Sequence, residues 1–143
     1  MRLSFAARTS HVSIDEPSWI IGTGLTPGRA KVHEIGITLV TATASSFGVS
    51  RMPGGLTNPV TEDFLLEDPN DVLDSGVIMS ITDWDSASST SLNYFRRVSL
   101  PATIGAGIIW SFPQGIVMTA GSHLAIWNIS SVSIADMYAV VEI

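Results

Sequence analysis

Lys31-Val32-His33-Glu34-Ile35-Gly36-Ile37-Thr38-Leu39-Val40-Thr41-Ala42-Thr43 is the stretch on which the fold turns. Ile35, Ile37 and Leu39 share one parity with His33 and Thr41, while Val32, Glu34, Gly36, Thr38 and Val40 share the other. Successive side chains of a strand point to opposite faces, so the Ile-Ile-Leu face is expected in a core. The same two-residue period recurs outward in both directions. Upstream, Arg2-Leu3-Ser4-Phe5-Ala6 and His11-Val12-Ser13-Ile14 read as short strands, and Asp15-Glu16-Pro17-Ser18 reads as a turn. Trp19-Ile20-Ile21 is a brief apolar stretch closed by Gly22, and Gly24-Leu25-Thr26-Pro27-Gly28 is too punctuated for regular structure.

Downstream, strands are expected over 47–52, 76–82, 92–100, 107–112, 116–118, 123–129 and 136–143, with Pro113-Gln114-Gly115 as a turn. Between them, residues 54–75 break the pattern with proline, glycine, asparagine and six acids: Glu62, Asp63, Glu67, Asp68, Asp71 and Asp74. A loop of about twenty residues is uncommon in a compact domain and is usually functional or supported by a partner. No window carries an apolar i, i+3, i+4, i+7 stripe free of Gly, Pro or β-branched runs, so no helix is expected. Regular short strands separated by turn signals point to an all-β, antiparallel sandwich of the jelly-roll form. The expectation is one domain over 1–143 with one long acidic loop at 54–75.

Composition agrees with that class and removes others. The chain has 143 residues, 13 acidic against 7 basic side chains and a formal charge of −6. Charged residues are 14%, against roughly 25% in ordinary soluble domains; 19 Ser and 12 Thr supply polarity instead. An acidic chain whose one lysine is Lys31 is a poor general binder of nucleic acid. No apolar run is long enough to span a membrane as a helix. Zero cysteines exclude disulfides, thiolate metal sites and cysteine catalysis. Residues 1–20 lack the basic start and apolar centre of a signal peptide.

Catalytic chemistry finds little footing. His11, His33 and His123 lie on three separate strands, and no Gly-x-Ser-x-Gly elbow accompanies the many serines. His33 and Glu34, as strand neighbours, point to opposite faces and cannot share a metal without a bulge. Asp83 and Asp85 flank Trp84 at a spacing of roughly 6.5–7 Å, which overlaps that of inverting glycosidases, but an aspartate before Ser86-Ala87-Ser88-Ser89 suits a turn better. Asp68, Asn70 and Asp71 have part of a calcium loop's spacing without its glycine pivot or closing glutamate. Of the four tryptophans, Trp110 and Trp127 belong to apolar strands and are expected in the core. Trp19 and Trp84 stand beside turns and suit an interface or ligand. No enzyme activity and no cofactor are expected.

One stretch is more specific. Arg96-Arg97-Val98-Ser99-Leu100-Pro101-Ala102-Thr103-Ile104-Gly105-Ala106-Gly107-Ile108-Ile109-Trp110-Ser111-Phe112 runs from a paired-arginine strand through a Gly-Ala-Gly turn to a Trp-x-Phe strand. It continues through residues 113–121 to Leu124-Ala125-Ile126-Trp127-Asn128, and upstream residues 31–36 and 47–49 join the pattern. It resembles a segment of small head proteins of tailed bacteriophages, over roughly residues 30–143. The resemblance implies a jelly-roll decoration or cement protein: a homotrimer on the outer capsid surface of the virion, made in the host cytoplasm, that bridges subunits of the major capsid protein. The competing expectation is a carbohydrate- or receptor-binding module of a phage fibre. A cupin-type enzyme would need clustered histidines, and no His-x-His pair is present.

Residues 1–29 fall outside that likeness and hold three of the seven basic residues, Arg2, Arg8 and Arg29. Arginine forks suit the carboxylates of a neighbouring chain, and Leu3, Phe5 and Trp19 offer apolar anchors beside them. This segment is therefore expected to act as an assembly arm, with the acidic loop the next candidate. The alternative is an ordinary pair of first strands with Leu3 and Phe5 in the core.

Overall fold

The computed structural model describes residues 1–9, 16–24, 29–52, 56–62, 64–72, 78–87, 93–130 and 132–143. Among these residues there is no helix and there are thirteen strands. The first seven are β1 (Arg2–Arg8), β2 (Glu16–Thr23), β3 (Ala30–Leu39), β4 (Ser45–Arg51), β5 (Leu56–Thr57), β6 (Val60–Glu62) and β7 (Leu65–Leu66). The rest are β8 (Ile78–Asp83), β9 (Ser86–Ala87), β10 (Arg96–Leu100), β11 (Gly107–Met118), β12 (His123–Asn128) and β13 (Ala135–Glu142).

The strands build an antiparallel β-sandwich. One sheet has the order β11-β3-β13-β1-β7 and the other β10-β4-β12-β2-β8-β6; β5 and β9 form a small separate ladder. Along the chain β1 to β4 alternate between the two sheets, and so do β10 to β13, so each long strand packs across from its sequence neighbour. The expected Ile-Ile-Leu face is core: Ile35, Ile37 and Leu39 are buried between the sheets with Leu3, Phe5, Trp19 and Phe47.

A second apolar cluster lies apart from the first and is centred on Ile20, Ile81, Ala125 and Trp127 of the six-stranded sheet, with Met52 and Trp84. These sheet residues alternate with inward-facing Trp19, Ile21, Leu124 and Ile126, so they occupy the opposite face of that sheet. Burial on both faces explains why all of β2 after Glu16 is buried. Strands covered on both sides read as continuous apolar runs rather than alternations.

Several sequence expectations are corrected. Glu16, Pro17 and Ser18 are strand, not turn: Pro17 opposes Trp127 where the β2–β12 register skips a residue, and a bulge is where a strand tolerates proline. Pro113-Gln114-Gly115 is not a chain reversal but an irregularity within β11, which pairs with β3 on both sides of it. The described part of residues 54–75 is not one loop. It holds β5, β6 and β7, of which β7 extends one sheet beside β1 and β6 extends the other beside β8. Ladders of two or three residues are too short to show a period, and their acids concealed them. The described part of residues 1–29 is no detached arm, since β1 lies between β13 and β7, and β2 between β12 and β8. Residues 11–14, expected as a strand, lie outside the described residues.

Candidate functional site

The structure disperses the six residues expected at an interface. Leu3, Phe5 and Trp19 are at most 1% exposed, inside the inter-sheet core. A side chain packed there has no surface to give another chain, so these three anchors are corrected to core residues. The Trp19 indole donates to Ser80 Oγ at 2.6 Å, both buried. Arg2 and Arg8 are exposed at opposite ends of β1, which at about 3.3 Å per residue separates them by ~20 Å. Arg8 is already engaged: its Nε and Nη2 donate to the Asp136 carboxylate at 2.7 and 3.0 Å. That fork holds the Asp136 carboxyl below its ordinary range and raises the Arg8 guanidinium. Arg29 is exposed just before β3.

Other sequence candidates settle into structural roles. His11 lies outside the described residues. His123 is half-buried at the start of β12, and desolvation lowers its pKa. The β3–β13 register does skip a residue at His33, the bulge without which His33 and Glu34 could not face one site. Their partners nevertheless diverge. Glu34 Oε1 accepts from the Tyr138 hydroxyl at 2.6 Å, while His33 Nε2 lies 3.6 Å from Glu142 Oε1. Among the described residues no three His, Asp or Glu side chains converge to hold a metal. Asp83 accepts from the Trp84 amide at 2.9 Å and Asp85 from Asn58 Nδ2 at 2.6 Å, so these carboxylates order a turn. Trp84, expected at an interface or ligand, is 4% exposed within the second cluster, while Trp110 and Trp127 are buried as expected. Asp68 Oδ1 accepts from the amide and side chain of Asn70, a local turn.

A different constellation stands at the side of the sandwich where β10 and β11 are the outermost strands of their sheets. Antiparallel pairing sets Arg96 opposite Val49 and so brings Arg51, at the end of β4, beside the paired arginines of β10. Each guanidinium lies against a ring: Arg51 is 5.6 Å from the Phe95 centroid, Arg96 5.3 Å from Phe112 and Arg97 5.8 Å from Tyr94. Arg96 also donates to the Phe95 carbonyl at 2.8 Å. The Tyr94 ring is close enough to β4 that a β-carbon at Gly48 would come within 2.5 Å of it.

Arg51, Phe95, Arg96, Phe112 and Ile116 line an open groove of about 490 Å³ that contains no carboxylate. None of the three arginines forms an ion pair among the described residues. A guanidinium stacked on a ring is attracted by the ring face and keeps its in-plane N–H donors outward for a carboxylate. The groove can thus bind anionic groups carried on a partly apolar segment. The sequence showed Arg96 and Arg97 but not Arg51, which strand pairing alone delivers. Comparison with protein-family models, with curated proteins and with solved structures finds no match to this chain.

Proposed function

We propose that this chain is a structural virion protein that decorates a tailed-phage capsid, assembling as a homotrimer that bridges major-capsid subunits. The observation that carries the reading is where the phage-like segment falls. Residues 96–112 form β10, the turn at Gly105 and the first half of β11. They include the outermost strand of each sheet on one side of the sandwich. Ile104 and Ile109 in this segment are 68% and 61% exposed, apolar surface available to a neighbouring chain. The strand order supports the jelly-roll form: β1-β13-β3-β11 faces β2-β12-β4-β10, with residues 52–95 inserted between two strands of the second set.

The test is the content of purified particles of the phage whose genome encodes the chain. Mass spectrometry and cryo-electron microscopy are expected to find it on the outer shell in fixed ratio to the major capsid protein. Its absence from particles overturns the reading. Detection only at fibre tips, at fibre copy number, overturns it in favour of a receptor-binding module.

A further inference from the structure

We propose that the arginine-lined groove at the β10–β11 side binds the acidic segment 64–72 of a second copy of this chain, so that copies join head to tail. The groove offers the guanidiniums of Arg51 and Arg96, with no carboxylate among its lining residues, on walls of Phe95, Phe112 and Ile116. The segment offers the complement. Glu67, Asp68 and Asp71 lie on it, and its Leu65 and Val72, 78% and 83% exposed, are the two most exposed large apolar side chains among the described residues. A segment both acidic and apolar at its surface is what a groove of arginines and rings accepts.

The two features cannot satisfy each other within one chain. Segment 64–72 carries β7 at one margin of the five-stranded sheet, and β11 is the other margin. Four spacings of about 4.8 Å put those margins ~19 Å apart, well beyond a Debye length of roughly 8 Å at physiological salt. Opposite charges that far apart on one molecule remain unneutralised and are available between molecules. Groove and segment are different surfaces, so their contact is heterologous and closes into a ring or propagates as a filament. Closure at three rests on the assembly reading above; the contact itself does not.

Light scattering and sedimentation equilibrium on the full chain test this. The wild type is expected to associate at micromolar concentration, with a ring three times the 15.2 kDa chain, and to weaken as salt rises. Arg51→Glu with Arg96→Glu is expected to weaken association at least ~100-fold, as is Glu67→Lys with Asp71→Lys. The chain carrying all four changes swaps both charges and is expected to recover association. Leu65→Ser with Val72→Ser alters only exposed side chains and is expected to weaken association with an unchanged melting curve, which separates the contact from a folding defect.

A monomeric wild type, association indifferent to either charge reversal, or failure of the four-change chain to recover overturns the proposal. A monomer whose groove binds an acidic oligosaccharide also overturns it. The outcomes stay separable from those of the capsid test. A chain found on capsids whose assembly ignores these variants leaves the function standing and removes this contact. A chain absent from capsids that assembles through the groove does the reverse.

Discussion

The ring of Tyr138 lies so close over β3 that a β-carbon at residue 36 would fall within it. Gly36 is therefore required by close approach, and the ring it admits carries a hydroxyl that donates to Glu34 at 2.6 Å. Gly36→Ala must displace that ring and is expected to cost about 2 kcal/mol in urea denaturation; an unchanged midpoint would show that the ring moves freely. The bond to Glu34 favours the neutral phenol and pushes its pKa up to about 12. Ultraviolet titration of the two tyrosines should show Tyr138 ionising late, and Glu34→Gln should bring it earlier. Because the folded state keeps this proton longer than the unfolded chain, the stability it lends is complete below pH ~10 and is lost as pH climbs toward 12. Tyr138→Phe should remove that alkaline loss. The sign is opposite at His123, whose charged form burial disfavours. Its contribution is present above the ordinary histidine range and falls away as pH drops through about 6.5, because the unfolded chain then binds the proton more readily. His123→Gln should flatten that part of the stability profile.

Strands show which expectations a two-residue period can and cannot reach. β3 was legible because Ile35, Ile37 and Leu39 alternate with residues of another kind and do line the core. β13 was legible in the same way, with Met137, Ala139 and Val141 buried. The period could not foresee the bulge at His33, which moves the inward parity from Ala30 and Val32 to Ile35 and Ile37. It could not see β6 and β7 either, since three and two residues hold no pattern. Nor could it place Arg51 beside Arg96, because pairing between distant strands leaves no local trace. β1 was recognised as a strand, but its inclusion in an assembly arm was a matter of charge rather than periodicity. Its pairing with β13 spans residues 2–8 without a break. Removing residues 1–8 is therefore expected to abolish the cooperative unfolding transition seen by circular dichroism. A truncated chain that still melts cooperatively would restore the arm. A narrower test is available inside the six-stranded sheet, where the Trp127 indole donates to Ser50 Oγ at 2.6 Å and both are buried. Ser50→Ala leaves a buried N–H without its partner, at an expected cost of about 1–3 kcal/mol.

In the molecule as a whole, the six-stranded sheet of the sandwich is covered on both faces. The five-stranded sheet packs on the inner face of the six-stranded sheet, and Met52, Leu56 and Trp84, from the insertion and its entry, cover the outer face over Ile20, Ile81 and Trp127. Sequence alone made residues 54–75 an acidic loop and Trp84 an interface or ligand residue, because the apolar residues that cover the sheet are separated by polar ones. The two placements of Trp84 predict different numbers. As a tryptophan beside a turn and open to a ligand, its replacement by alanine would change stability by no more than about 0.5 kcal/mol. As a side chain 4% exposed in the outer cluster, its truncation should cost about 3–5 kcal/mol through lost burial and the cavity left behind. The cover would also loosen, so Trp84→Ala is expected to increase hydrogen exchange in β8 and β2 more than in β3 or β13, whose core lies between the sheets. Equal exchange in both sheets would mean that the two clusters unfold as one. An unchanged melting temperature would mean that the outer face of the six-stranded sheet does not depend on this cover.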